Sequence, residues 1–91
     1  MDRITQKHLE VLVNEINTLT NSPLEYSDKN ATRFKSNINH YCLEEAYGGV
    51  NLVRIVNEGG GQRDISNLGY GTKRELYHFM KAFIMGLAYT K

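Results

Sequence analysis

The clearest fold signal in the chain is the stretch TKRELYHFMKAFIMGLA, residues 72–88. Thr72 and Glu75 have the spacing of a capping box, with threonine at the N-cap and glutamate at the third helical position. The apolar residues that follow recur at steps of three and four, which places them on one helical face: Leu76, Phe79, Met80, Phe83, Ile84 and Leu87. We therefore predict a helix of roughly 25 Å that forms the main wall of the core.

A second amphipathic helix is predicted over residues 5–20, close to the start of the chain. Its apolar residues share the same helical spacing: Leu9, Leu12, Val13, Ile16 and Leu19. Thr5 is suited to the N-cap position. Pro23 and the polar residues before it end the helix, because proline restricts its predecessor and cannot continue the hydrogen-bond ladder.

Two strand-like segments lie between the helices, at residues 37–45 and 50–57. Gly48 and Gly49 separate them, and glycine adopts the positive φ angles of a tight turn without steric strain. The β-branched residues of the second segment favour a strand, although Leu52, Ile55 and Val56 also have helical spacing. The segments predict a β-hairpin, either alone or within a small antiparallel sheet, so the fold class is α+β.

The second strand has apolar residues on both faces, with Val50, Leu52 and Val56 on one and Val53 and Ile55 on the other. The helices can cover only one face, so the other requires a second cover, such as a partner subunit. A two-stranded hairpin also has edges that pair readily with another chain. Both features predict a homo-oligomer.

The remaining segments are polar or rich in glycine. Residues 24–36 are irregular and predict a loop, which could cover the centre of the domain. Residues 59–71 form a glycine-rich connection, in which residues 64–68 could form a short strand or a turn.

The composition is typical of one globular domain, predicted to span residues 1–91. Hydrophobic residues make up 41% of the chain and charged residues 23%, and the formal net charge is +1. A nearly neutral charge argues against a nucleic-acid binder of low specificity. Cys42 is the single cysteine, which excludes an intrachain disulfide and favours a reducing compartment. With no long apolar stretch, the sequence predicts a cytoplasmic protein that does not bind membranes.

The glycine-rich connection leads into a helix start that carries two cations, Lys73 and Arg74, beside Thr72. Positive side chains at a helix N-terminus oppose the helix dipole, whereas a bound anion would turn this repulsion into attraction. In the alternative interpretation, both side chains point into water. Gly60, Gly61 and Arg63 belong to the same connection and are candidates for the same site.

The hairpin supplies aromatic rings and hydrogen-bond donors, in Tyr41, Tyr47, Arg54 and Asn57. Arginine and aromatic side chains together can hold a phosphate and a base. Tyrosine and asparagine are also common on exposed strands and turns, so a purely structural interpretation remains open.

The sequence contains no complete catalytic or metal-binding motif. His40 has no nucleophile or acid at a recognisable spacing, so a hydrogen-bonded structural histidine is the favoured interpretation. Three scattered histidines and one cysteine do not have zinc-ligand spacing. We therefore expect a protein that is not an enzyme and that needs neither a metal nor a cofactor.

Several runs resemble a group of small phage and prophage proteins. These runs are Asn39-His40-Tyr41-Cys42-Leu43, Ala46-Tyr47-Gly48-Gly49-Val50 with Leu52 and Arg54, Asn57-Glu58-Gly59-Gly60-Gly61, and Lys73-Arg74-Glu75-Leu76-Tyr77. The resemblance covers about residues 37–88. It implies a phage origin and action in the cytoplasm of an infected bacterium, and it implies no particular reaction.

The leading functional hypothesis is a binding protein that captures an anionic, nucleotide-like molecule, such as a signal made by a host defence system. The side chains expected to contact phosphates are Arg54, Arg63, Lys73 and Arg74. Tyr41 and Tyr47 are expected to stack on rings of the ligand, and Asn57 is expected to hydrogen-bond to it. A second hypothesis is an interaction module that inhibits or redirects a host enzyme. A third is DNA binding by the basic residues of the last helix.

Overall fold

An antiparallel sheet with a helix at each end of the chain makes up the fold. The computed structural model describes residues 3–26, 36–66 and 69–90. The elements in chain order are α1 (Gln6–Leu19), β1 (Tyr41–Ala46), β2 (Gly49–Ile55), β3 (Gln62–Asp64) and α2 (Lys73–Thr90). The strands form a three-stranded antiparallel sheet in the order β1-β2-β3. The predicted α+β class is confirmed, and the hairpin is part of a small sheet.

Both helices begin with a capping box. The Thr5 hydroxyl accepts from the His8 N–H, and the Thr5 N–H donates to His8 Nδ1. At α2, the Thr72 N–H donates to Glu75 at 2.9 Å, and the Glu75 N–H donates to the Thr72 hydroxyl at 3.1 Å. These bonds satisfy amide groups that have no acceptor within the helix. They confirm both predicted helix starts.

The two helices start next to each other and pack on one face of the sheet. Residues 4–6 and 72–74 line a single surface depression, and α1 lies against β1 while α2 lies against β2. The main buried apolar residues between these layers are Ile4, Leu9, Leu12, Val13, Ile16, Tyr41, Val50, Leu52, Leu76, Met80 and Ile84. The predicted apolar faces of both helices therefore build this core.

The second face of β2 is covered within the single chain. Val53 is 1% exposed and Ile55 is 0% exposed, although their side chains point away from the face that carries Val50 and Leu52. The predicted second cover therefore exists within the chain, and this face does not require a partner subunit. A homo-oligomer remains a prediction, but it no longer follows from this argument.

The strands are shorter than predicted, because local turns bound them. Asn39 has a left-handed φ of 76°, and the His40 N–H donates to the Asn37 carbonyl, so residues 37–40 form a turn before β1. At the end of β2, the Val56 N–H donates to the Gly61 carbonyl and closes the connection to β3.

The β1–β2 turn consists of Tyr47 and Gly48, one residue earlier than predicted. Ala46 pairs with Gly49 across the turn, and the φ angles of Tyr47 and Gly48 are 55° and 73°. Gly49 belongs to β2, and a Cβ atom there would lie 2.8 Å from the carbonyl carbon and oxygen of Tyr70. Gly49 is therefore needed for a close approach between two backbone segments.

Two predicted segments fall partly outside the described residues. Of the loop predicted at 24–36, residues 27–35 lie outside them, and Leu24 in the described part is 60% exposed. Of the short strand or turn predicted at 64–68, Asp64 ends β3, residues 65–66 form a bend, and residues 67–68 lie outside.

Candidate ligand-binding site

A backbone bridge between Val50 and Gly71 brings the start of α2 beside the β1–β2 turn. The Val50 N–H donates to the Gly71 carbonyl at 2.9 Å, and the Gly71 N–H donates to the Val50 carbonyl at 3.2 Å. A groove of about 380 Å³ lies at this junction. Its lining residues are Glu45, Ala46, Gly48, Gly49, Val50, Gly71, Thr72 and Lys73.

Two tyrosines are chain neighbours of the lining residues. Tyr47 lies between the lining residues Ala46 and Gly48, and Tyr70 directly precedes Gly71. Their ring centroids are 5.5 Å apart in an edge-to-face arrangement, which is a favourable geometry for aromatic pairs. Tyr47 is nevertheless 94% exposed. We refer to the groove together with Tyr47 and Tyr70 as the tyrosine groove.

Tyr70 is held in place by Glu44. Its hydroxyl donates to the Glu44 carboxylate at 2.5 Å. This hydrogen bond, followed by desolvation and by the negative charge of Glu44, raises the pKa of Tyr70 to about 12. Tyr70 therefore stays protonated at neutral pH, and its ring has a fixed orientation beside Tyr47.

Cations from both helix starts lie beside the groove. Lys73 lines it, and Thr72 and Lys73 also line a neighbouring depression of about 590 Å³. Arg3, which precedes α1, and Arg74, in α2, line that depression as well. Lys73 is the first residue of α2, so its N–H has no acceptor within the helix. The positive end of the α2 dipole adds to these charges.

Acidic groups are also present at this end of the molecule. Hydrogen bonds from the backbone and side chain of Thr72 lower the pKa of Glu75, so its carboxylate stays ionised while it caps α2. Glu45, near the end of β1, lines the groove together with Lys73. The groove thus combines a basic side with an acidic acceptor.

The candidate ligand residues predicted from the sequence do not form one site. Tyr47, Thr72, Lys73 and Arg74 lie at or beside the tyrosine groove. The others lie towards the opposite end of β2: Tyr41, Arg54, Asn57, Gly60, Gly61 and Arg63. Arg54 follows Val50 by four residues, which is about 13 Å along a strand. The predicted convergence of Arg54 with Lys73 and Arg74 was therefore wrong.

Tyr41 is part of the core. It is 7% exposed, and its ring packs against Phe83 at a centroid distance of 6.1 Å. Asn17, which is fully buried, accepts from the Tyr41 N–H at 2.8 Å and donates to the Tyr41 carbonyl at 3.0 Å. This tyrosine can stack on a ligand only if the core opens, so the predicted stacking role does not fit its position.

Asn57 and Gly60 shape the turn between β2 and β3. The Asn57 side-chain oxygen accepts from the Gly61 N–H at 2.9 Å, and the Asn57 carbonyl accepts from the Gly60 N–H. Gly60 has a φ of 93°, a backbone angle that residues with a side chain rarely adopt. The Asn57 side-chain oxygen and the Gly61 N–H therefore bond to each other within the turn.

His40 is buried and hydrogen-bonded, as its structural interpretation predicted. It is 7% exposed, and its Nδ1 lies 2.8 Å from the Pro23 carbonyl oxygen. Tyr26 contacts the ring edge-on. The bond to a carbonyl requires a proton on Nδ1, which fixes the tautomer of the neutral ring.

Tyr70 and Arg3 were not among the residues predicted for the site. Tyr70 lies within a Gly-Tyr-Gly run, and its contacts with Tyr47 and Glu44 join residues that are 23 and 26 positions apart. The aromatic residue between two glycines was the available signal. Arg3 precedes the α1 cap and joins Lys73 only because the two helices start together.

Metal-binding clusters and membrane-spanning helices are both absent from the described part of the chain. Within residues 3–26, 36–66 and 69–90, no cluster of three or more His, Cys, Asp or Glu side chains could hold a metal ion. Neither helix in these residues has the length and apolar character that a membrane crossing requires.

No protein-family model, curated protein sequence or solved structure matches the chain.

Proposed function

We propose that the chain is a non-enzymatic binding protein that captures an anionic, nucleotide-like molecule in the tyrosine groove. The observation that carries this proposal is the position of Tyr47, which is 94% exposed, lies against Tyr70 and directly precedes Gly48, a lining residue of the groove that Lys73 also lines. The exposed tyrosine ring and the positive charge of Lys73 thus belong to segments that meet at one groove.

Tyr47 has a conformation that its side chain disfavours. Left-handed backbone geometry costs a non-glycine residue roughly 1–2 kcal/mol, and Asn or Gly is the usual residue at this position of a hairpin turn. An exposed aromatic ring at a strained position supports a binding role, because local strain often occurs at functional sites. Stacking of a base on an aromatic ring contributes about 1–3 kcal/mol.

The charged groups fit the remaining parts of a nucleotide. Lys73, Arg3 and the start of α2 provide positive charge for phosphate oxygens. Glu45 provides an acceptor for an amino group of a base or for a sugar hydroxyl. A ligand with both an anionic end and a donor-bearing ring satisfies both sides of the groove.

The available space also fits a ligand of this size. The groove of about 380 Å³ and the depression of about 590 Å³ share Thr72 and Lys73, and pockets for small molecules usually have volumes of about 300–1,000 Å³. A ring in the groove would place its phosphates over Lys73, towards Arg3.

The resemblance to phage proteins supports a role in infection. The protein would then sequester a nucleotide signal that a host defence system makes, and binding without turnover would be sufficient for this role. Its site of action would be the host cytoplasm.

Titration calorimetry against a panel of linear and cyclic nucleotides tests the proposal. We expect at least one member to bind saturably, and we expect the corresponding nucleosides, which lack phosphate, to bind much more weakly. A folded protein that gives no binding signal across the panel would rule the proposal out. Native mass spectrometry of protein from infected cells would then identify a retained ligand and the oligomer size.

The free edge of β1 favours a second candidate function, which is binding of a host protein. Because Ala46 and Gly49 flank a two-residue turn, the backbone groups of Tyr41, Leu43 and Glu45 point away from β2. Asn17 pairs with those of Tyr41, whereas no described strand lies on the outer side of Leu43 or Glu45. A groove of about 400 Å³ between α1 and this edge could accept an extended segment.

A pull-down from host lysate distinguishes the two candidates. Recovery of one host protein in a stoichiometric complex would favour the second, provided that a Leu43→Pro variant, which blocks strand pairing at the edge, loses it. Retention of the host protein by that variant would exclude the β1 edge as the binding surface.

A further inference from the structure

Two arginines face each other across β2 and β3, at the opposite end of β2 from the tyrosine groove. Arg54 and Arg63 are direct partners in the antiparallel register, so their side chains lie on the same face of the sheet, with Cα atoms about 5.5 Å apart. Like charges at directly opposed positions repel each other. This arrangement is therefore unfavourable unless something negative lies between them.

Arg54 also has a buried hydrogen-bond donor with no acceptor among the described residues. The side chain is half-buried, and its Nε atom is shielded from solvent without an acceptor among the described residues. A buried donor without an acceptor is rare in folded proteins, since it loses its bonds to water and gains none.

Asp64, the acidic residue next to this pair, forms a hydrogen bond with Asn51 on the other face of the sheet. Asp64 follows Arg63 in β3 and points to the other face of the sheet, where its carboxylate accepts from the buried Asn51 amide at 2.8 Å. Within the described residues, neither arginine has an ion pair with a carboxylate. No carboxylate of the described residues thus neutralises the charges of Arg54 and Arg63.

We propose that Arg54 and Arg63 together form a binding site for a phosphoryl group. A guanidinium group presents two parallel donors to two oxygens of one anion. A phosphate monoester carries close to two negative charges at neutral pH, which matches two arginines, whereas a carboxylate carries one. This site is separate from the tyrosine groove, and it does not depend on the function proposed for that groove.

The test is an NMR titration of the full-length protein with inorganic phosphate, followed through the arginine Nε–Hε signals. We expect the Arg54 and Arg63 signals to shift together and to saturate. Arg63→Gln should weaken the affinity reported by Arg54 at least ten-fold, because it removes a charge and its hydrogen bonds. The absence of a saturable shift would overturn the proposal, as would an unchanged affinity in Arg63→Gln.

Two further titrations test whether the site is separate from the tyrosine groove and whether it prefers a phosphoryl group. Lys73→Gln, which alters the tyrosine groove, should leave the Arg54 response unchanged; loss of that response would overturn a separate site. Acetate should bind much more weakly than phosphate, and equal binding would overturn the assignment to a phosphoryl group. Arg63 lies on an exposed edge strand, so its variant should fold even if a substitution at the half-buried Arg54 does not.

Discussion

Gly71 exchanges both of its backbone hydrogen bonds with Val50, at 2.9 and 3.2 Å, although the two residues are 21 positions apart. This bridge fixes the segment before α2 against β2. Consequently Tyr70 lies beside Tyr47, and Lys73 lies beside the β1–β2 turn. The candidate site depends on this single junction between the sheet and the last helix.

Gly49→Ala should destabilise the protein by about 1–3 kcal/mol, which is the usual effect of forcing extra atoms into a packed region. The new Cβ atom would lie 2.8 Å from the Tyr70 backbone, which cannot move without disturbing the bridge. Urea unfolding measures this change. Gly86→Ala is the matched control, because Gly86 lies in α2 with open space around it, and it should stabilise the protein by about 0.5–1 kcal/mol.

Asn17→Ala should destabilise the protein by about 2–4 kcal/mol, because two backbone groups of Tyr41 lose their partner in a buried environment. Thermal or urea unfolding measures the loss. Asn14 lies on the exposed face of the same helix, and Asn14→Ala should change stability by less than about 0.5 kcal/mol. Similar effects of the two substitutions would contradict the role assigned to Asn17.

Tyr70 should ionise at a pH near 12, because its hydroxyl donates to Glu44. Since the folded state keeps this proton above the ordinary tyrosine pKa of about 10, stability from this group is complete below pH 10 and is lost as the pH rises towards 12. Glu44→Gln should lower the pKa of Tyr70 towards 10. Ultraviolet titration of tyrosinate, compared with a Tyr70→Phe variant, measures the shift, and an unchanged curve in Glu44→Gln would contradict this account.

The helices and their caps were predictable because their signals are local. Thr72 and Glu75 are three residues apart, so the capping box can be read directly from the sequence. The position of the hairpin turn was harder to predict. Gly48 and Gly49 are both suited to a turn, and the choice of Tyr47 and Gly48 depends on the distant Tyr70 backbone, which leaves no room for a side chain at Gly49.

Which cations lie close together was also not predictable, because it depends on residues that are far apart in the chain. Arg54 and Lys73 are both close to glycine-rich segments in the sequence, but the sheet register places Arg54 opposite Arg63. Lys73 instead joins Arg3, because the two helices begin side by side. These positions follow from strand register and helix packing, which involve residues far apart in the chain.

The most direct test of the central claim is the affinity of Tyr47→Asn for the nucleotide that binds best in the calorimetric panel. Asparagine suits the left-handed turn position, so this variant removes the ring and preserves the turn. Tyr89→Asn is the control, since Tyr89 is 93% exposed on α2. We predict that Tyr47→Asn binds at least about ten-fold more weakly, which corresponds to the loss of one stacking contact, and that Tyr89→Asn binds like the unaltered protein. Equal affinity of the two variants would contradict nucleotide capture by the tyrosine groove.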